Sequence, residues 1–251
     1  MAAEEHAVAA EEHGGPEHFS SLHGPVNSAW EATGLGDMTG IDEIPDHVVM
    51  GLFVAALVAT LFIPFGRGMS LERPRGLQQM LEMVVLGLRN LIDDVVGHGA
   101  SKRFMPMIGS FAMFIFLCNI TGSLFFLQPP TQNTNTTFAL SLTACAYYHW
   151  QGLRKRGIGY FKHLLGPIPA LFILFIPLEI ITHVARALSL GLRLFGNIYG
   201  EHLAATVFFS MAPILVPFPM MALGLFGSVL QAFIFCMLTL VYIAGAEAEE
   251  H

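Results

Sequence analysis

An all-α polytopic membrane protein is the fold class this sequence predicts, and three observations predict it. Hydrophobic residues make up 54% of the 251 positions and charged residues only 12%, which is more apolar than a soluble domain of this size. Apolar runs recur along the chain at lengths that suit membrane crossings, separated by polar or basic joints. Ten of the twelve Lys and Arg residues collect in two of those joints, the pattern of cytoplasmic loops.

The chain opens on an acidic, His-rich stretch, 1–45, and no Lys or Arg occurs before Arg67. This stretch lacks the cationic start and apolar core of a secretory signal and is expected to be a solvated extracytoplasmic tail. His6, His13, His18 and His23 are irregularly spaced, with neither Cys nor a tight carboxylate cluster beside them, so no metal site is expected there. The remainder, 46–251, is expected to form one membrane-embedded domain.

About five membrane-embedded segments are predicted in that domain, over 47–66, 104–127, 137–150, 167–211 and 213–246. A hydrocarbon core about 30 Å thick takes about 20 helical residues, so the first two segments fit single crossings. The third is short and should extend into the polar joint after it. The last two are too long for upright crossings, and must tilt steeply, bend or fold back. Between the first two, residues 76–97 place Leu77, Met80, Leu81, Val84, Leu88, Leu91, Ile92 and Val95 on one face, with Gln78, Gln79, Glu82, Asp93 and Asp94 elsewhere. That spacing predicts an amphipathic helix at the interface or packed on the bundle.

The basic joints set the orientation. Arg67, Arg73, Arg75, Arg89, Lys102 and Arg103 lie in one, and Arg154, Lys155, Arg156 and Lys162 in the other. Placing both in the cytoplasm puts the N-terminus and the loop from Pro129-Pro130 to Thr137 outside, and the acidic C-terminus inside. Asn133 to Thr137 form a turn with helix-capping residues. Cys118, Cys145 and Cys236 all lie in apolar segments, as packed side chains rather than a disulfide framework. No internal repeat is visible, which argues against transporter folds built from duplicated halves. The net charge of −7 argues against a nucleic-acid partner. No Gly-x-x-x-x-Gly-Lys loop or cofactor motif occurs, so no ATP-hydrolysing or other catalytic residue is expected in this chain.

Polar residues inside the last two segments carry the chemistry. Glu179, Arg186 and Arg193 are each seven residues apart, so on one unbroken helix they fall within about 40° of one another, with Asn197 about 40° from Arg193. Gly191, Gly196 and Gly200 interleave this stripe, and small residues let another helix approach closely. A break between Glu179 and Arg193 would weaken the alignment. His202 lies about 180° from Arg193 and Glu201 about 80°, so a second face has its own polar task. On the last helix Ser228, Gln231 and Tyr242 are the groups that could meet them.

Arg193 is the strongest of these signals. Its guanidinium cannot escape burial by losing a proton, and an arginine at a bilayer centre costs between about 2.5 and 17 kcal/mol. A carboxylate of this chain, a water-filled cavity, or an acid carried by a partner must compensate. Simpler roles remain open for the others: Arg186 reaching the interface, Glu179 pairing with an arginine or His183, His202 as a packing residue, and Asn119 and Thr121 as glue between helices.

Pro177-Leu178-Glu179, the run from Ser189 to Tyr199 through Arg193 and Asn197, and Leu230-Gln231 to Phe235 together resemble the membrane-embedded subunit a family of bacterial ATP synthases. Pro129-Pro130-Thr131 followed by Asn135-Thr136-Thr137 resembles it too, and the likeness covers the chain from about residue 47 onward. It implies a bacterial inner-membrane stator that moves protons through two offset half-channels at a c-ring, coupling the proton-motive force to rotation and ATP synthesis. The c-ring, the subunit b peripheral stalk, the rest of the synthase and the lipid bilayer are the partners it implies. Arg193 is similar to the stator arginine that faces the ring acids, and Asn197 and Gln231 to positions beside it. Glu179 matches an acid of the cytoplasmic half-channel, Arg186 a usual basic position, and His202 a position held by Glu or His. A second ionisable group usually stands seven places before the glutamine; here that place is Gly224, which leaves Glu201 as the companion of His202. The rival from another class is a self-contained cation or proton transporter using Glu179, Arg186 and Arg193 as its own site. A purely structural membrane scaffold is the third possibility.

Overall fold

The computed structural model describes residues 26–28, 44–67, 76–123, 129–157, 172–211 and 217–247. The expected tail over 1–45 lies almost wholly outside the described residues, as do its four histidines. Among the described residues the fold is all-helical: α1 (Asp46–Arg67), α2 (Gly76–Val96), α3 (Ser101–Ser123), a short 3-10 turn (Pro130–Gln132), α4 (Thr134–Arg156), α5 (Phe172–Met211) and α6 (Pro217–Glu247). Each expected apolar segment holds one helix, and the amphipathic stretch holds α2. Three spans, Asp46–Ile63, Ser101–Gly122 and Met221–Glu247, are long and apolar enough to cross a membrane by length and composition.

Local chemistry sets the ends. Asn133 caps α4 by accepting the Asn135 N–H on its side chain at 2.9 Å, as the capping residues in this turn predict. At the other end Gly157, at φ 56°, donates its N–H to the Leu153 carbonyl at 2.7 Å, a left-handed terminator that suits glycine. Gly97 and Gly99 have φ of 126° and 85°, which lets the chain turn sharply from α2 into α3. Asp93 fastens that corner, accepting the Ser101 N–H at 2.8 Å and its hydroxyl at 2.9 Å. α4 does extend into the basic joint, as its short apolar run required.

α6 is the central post, packing on α2, α3, α4 and α5, while α4 packs on α5 and α1 on α3. Their shared core includes Ile92, Phe104, Ile108, Phe111, Ile115, Tyr148, Leu194, Phe235, Leu240 and Ile243. Phe111 and Phe235 meet edge to face at 5.4 Å, a favoured aromatic geometry. All three cysteines are free. The apolar face of α2 divides: Leu88, Leu91, Ile92 and Val95 join the core, whereas Met80 and Val84 stay exposed.

α5 is one helix of 40 residues, about 60 Å long, so its excess length is not relieved by the break that the sequence left open. Pro177 falls inside it, in the first turns. α5 runs antiparallel to both α4 and α6. The ends of α3, α4 and α6 meet at a charged cluster: Glu247 takes Arg103 at 3.1 Å and Lys155 at 3.6 Å, and Arg103 also donates to Gln151.

Candidate functional site

Because α5 is continuous, its seven-residue polar spacing becomes a physical stripe. Leu190, Gly191, Leu194 and Ile198 are buried against the bundle. Leu192, Arg193, Gly196, Asn197, Tyr199 and Gly200 are exposed on the opposite side. Around them the outer surfaces of α5 and α6 are apolar, with Leu188, Leu203, Phe226, Val229 and Phe233 uncovered.

Arg193 therefore stands as an unburied guanidinium in an apolar setting. The ion pairs among the described residues are Arg103–Glu247, Lys155–Glu247 and His183–Glu179, and Arg193 is in none of them. Glu179, the acid that could have neutralised it, binds His183 Nε2 at 3.1 Å instead. Arg186 lies with its guanidinium 5.4 Å from the Tyr242 ring centroid, a cation–π contact. Of the three compensations open to Arg193, a carboxylate of its own chain is absent among the described residues.

Asn197 and Gln231 lie about one turn apart along the contact of α5 with α6. A Cβ added to Gly227 would lie 3.8 Å from Asn197 Nδ2, which sets α6 against α5 there. One turn onward along α6 and one turn back along α5 brings Gln231 level with Arg193. Gln231 is 4% exposed, and its Nε2 is buried with no hydrogen-bond partner among the described residues. A buried amide of this kind is ordinarily paired, with protein or with ordered water. Ser228, fully buried, is spent on its own helix, donating to the Gly224 carbonyl at 2.8 Å. Gly224 is buried and contributes no side chain.

His202 faces inward, away from the stripe, as its angle predicts. Its Nε2 would be 3.3 Å from a Cβ at Gly122, where Pro129 Cγ would stand at 2.9 Å, so glycine there makes room for the imidazole. One turn away on α3, Asn119 accepts the Thr131 hydroxyl at 3.1 Å, tying α3 to the 3-10 turn. Asn119 Nδ2 and Gln132 Oε1 are buried without a protein partner. Glu201 is half-buried on the flank. Thr121 bonds back to the Cys118 carbonyl at 2.7 Å and bridges nothing.

Sequence reasoning missed the other half of the Glu179 contact. His183 Nδ1 meets Tyr148 Oη at 2.8 Å, and the His149 ring lies 4.5 Å from that of His183. The run Tyr147-Tyr148-His149 near the end of the apolar run 137–150 was the available signal. Among the described residues no group of three or more His, Cys, Asp or Glu could hold a metal ion.

A sequence model described as ATP synthase A chain matches residues 48–244. The chain is 40% identical over 205 residues to ATP synthase subunit a 1 of Syntrophotalea carbinolica, covering 82% of this chain and 87% of that one. It is 40% identical over 200 residues to ATP synthase subunit a of a Sulfurihydrogenibium species, covering 80% and 96%. It is 46% identical over 178 residues to ATP synthase subunit a of Nitratidesulfovibrio vulgaris, covering 71% and 76%.

Proposed function

The chain belongs to the ATP synthase A chain family, and on that premise we propose that Arg193 is its stator charge, exposed to receive the acids of a c-ring. The protein is a proton-translocating stator of a bacterial membrane ATP synthase. The observation that carries the residue assignment is Arg193 on an open apolar face of α5, paired with no acid among the described residues. A self-contained transporter would need Glu179, Arg186 and Arg193 turned toward one another, and Glu179 and Arg186 are engaged with His183 and Tyr242 instead.

The mechanism follows from charge. A rotor carboxylate neutralised by a proton from the positive side can turn into lipid, where its anion would be prohibitively costly. After nearly a full rotation it reaches the second aqueous path, releases the proton, and the anion is drawn to Arg193. At about 4 Å that attraction is about 20 kcal/mol at a dielectric of 4 and about 4 kcal/mol at a dielectric of 20. One charge crossing 100 mV supplies only about 2.3 kcal/mol, so the contact must be hydrated to be made and broken. Exposed Asn197 and the unpartnered Gln231 amide suit that need.

Protons are taken up on the inward face, where His202, Glu201 and the buried polar atoms of Asn119 and Gln132 lie. They leave past Glu179, with Arg186 beside it. The Arg103, Lys155 and Glu247 cluster gathers two residues of the basic joints with the end of α6, which supports a cytoplasmic C-terminus. The tail over 1–45 then lies outside, 46–251 in the membrane, and the c-ring and the subunit b stalk beside it. Labelling of a cysteine introduced at 251 by an impermeant reagent added outside intact cells would overturn that orientation.

Reconstituted synthase tests the central assignment. Arg193→Ala should abolish coupled ATP synthesis and open a passive proton leak. Arg193→Lys should not restore coupling, because an ammonium desolvated against the ring can lose its proton and lacks the guanidinium's fork. Full synthesis by either variant would reject the role.

A further inference from the structure

Glu179 does not stand alone but ends a string of polar side chains that crosses from α5 into the bundle. Its Oε1 is 3.1 Å from His183 Nε2, and His183 Nδ1 is 2.8 Å from Tyr148 Oη on α4. Both imidazole nitrogens are thus engaged, one by an acid and one by a phenol. Exposure falls along the string: the side chain of Glu179 is 32% exposed and that of His183 13%, while Tyr148 is 2% exposed. Tyr148 is fixed in turn by its ring, 4.2 Å from that of His149 and 5.9 Å from that of Tyr242.

Among the described residues, Glu179 of α5 and Tyr148 and His149 of α4 meet His183, and Arg186, three residues on along α5, lies over the Tyr242 ring of α6. An imidazole held with one nitrogen against a carboxylate and the other against a phenol has a donor and an acceptor site in line, as a proton carrier needs. Position matters as well. His183 is one turn closer to Arg193 than Glu179 is, about 15 Å along the axis against about 21 Å.

We infer that His183 is a second proton carrier of the release path, handing protons to Glu179, and that Tyr148 is the positioning residue that keeps it aimed. This rests on the reading of Glu179 as an acid of that path. The step moves one proton along one contact. The Nε2–H bond of the imidazolium breaks as an O–H bond forms on Glu179 Oε1, turning an ion pair into two neutral groups. The acid then loses the proton to solvent at the cytoplasmic end. Tyr148 Oη accepts Nδ1–H throughout, so the Nε2 lone pair left behind still faces Glu179 and takes the next proton released by the rotor.

The test uses the whole synthase in liposomes, with proton flux driven by a potassium diffusion potential and followed against pH on the release side. A positioned proton-transfer group is worth about 10²–10⁴-fold, and partial replacement by water leaves an expected loss of about tenfold for His183→Gln. The pH profile on the release side should flatten, with the profile on the uptake side unchanged. Tyr148→Phe keeps the ring contacts and removes only Oη, so it should slow flux less and shift the same profile. Wild-type rate and profile in both variants, with Glu179→Gln slowed, would overturn the relay and leave the Glu179 reading standing. Wild-type flux in Glu179→Gln would remove that reading and the relay with it. If His183→Gln does not assemble, Tyr148→Phe decides: a shifted release-side profile supports the relay and an unshifted one overturns it.

Discussion

Arg103 and Arg193 are the same side chain treated in opposite ways. Arg103 sits at the bundle's charged end, paired with Glu247 at 3.1 Å and bonded to Gln151. Arg193 sits mid-helix on an apolar surface with no ion pair among the described residues. A charge that serves the fold is satisfied inside the chain, because an unpaired one costs stability and returns nothing. On the reading proposed above, a charge left unpaired on such a surface is held for an acid of a partner. The neighbouring stripe shares that treatment: Asn197, Gly196 and Gly200 face out, and the pairing groups Tyr148, His149 and Glu247 face in.

The sharpest way to break this comparison is to exchange the assays. Arg193→Ala should eliminate coupled synthesis yet leave the thermal stability of the purified complex nearly unchanged, within about 0.5 kcal/mol. Glu247→Ala should do the reverse. It orphans Arg103 and Lys155, whose side chains are 39% and 42% exposed, so solvent screening limits the loss to about 1 kcal/mol. Synthesis should persist below the unfolding temperature. A strongly destabilised Arg193→Ala would mean that this arginine, too, serves the fold.

A smaller effect separates the two sides of α5 through its glycines. A Cβ at Gly191 would meet Phe138 Cδ1 and Ser141 Oγ at 3.0 Å. Overpacking of that kind costs about 1–3 kcal/mol, against a gain of about 0.5–1 kcal/mol for Ala over Gly in a helix. Gly191→Ala should therefore lower stability, whether or not a ring is present. A Cβ at Gly196 meets nothing within 4 Å, so Gly196→Ala should leave stability of the isolated subunit unchanged or raised. In the assembled synthase the same methyl should reduce ATP synthesis. Unimpaired synthesis in Gly196→Ala would deny that a partner packs closely on the exposed face.

What could be read in advance divides along the same line. Helix positions followed from apolar run length, and the Glu179, Arg186 and Arg193 stripe from spacing alone, because both are local properties of the chain. The inward turn of His202 followed from its angle on α5. The destination of Glu179 did not follow, since Arg193, Arg186 and His183 were all within reach on one helix. What decides it is Tyr148, 35 residues away from His183 on α4, and a contact of that separation leaves no period in a sequence. The Arg103–Glu247 pair, joining the start of α3 to the end of α6, was hidden for the same reason. The unbroken course of α5 through Pro177 was also not legible: its length argued as well for a bend, and packing along α4 and α6 keeps it whole.

The smallest effect belongs to a charge that is neither buried nor functional. Asp93 accepts the Ser101 N–H at 2.8 Å and its hydroxyl at 2.9 Å across the Gly97 to Gly99 turn. The Ser101 backbone N–H is the main cause holding the Asp93 carboxyl below its usual range, helped by the Ser101 hydroxyl and Arg89. A carboxyl whose folded value is depressed contributes stability above its unfolded value, about 3.9, and loses that contribution as pH falls through the folded value. Asp93→Asn should consequently lower the melting temperature slightly at pH 7, and the gap to wild type should close at a pH below the depressed folded value. Detergent-solubilised protein followed by helix loss measures this directly. A gap of the same size at both pH values would show that the carboxylate charge plays no part in the α2–α3 corner. It would leave the hydrogen-bond geometry, since Asn has one acceptor oxygen where Asp93 uses two.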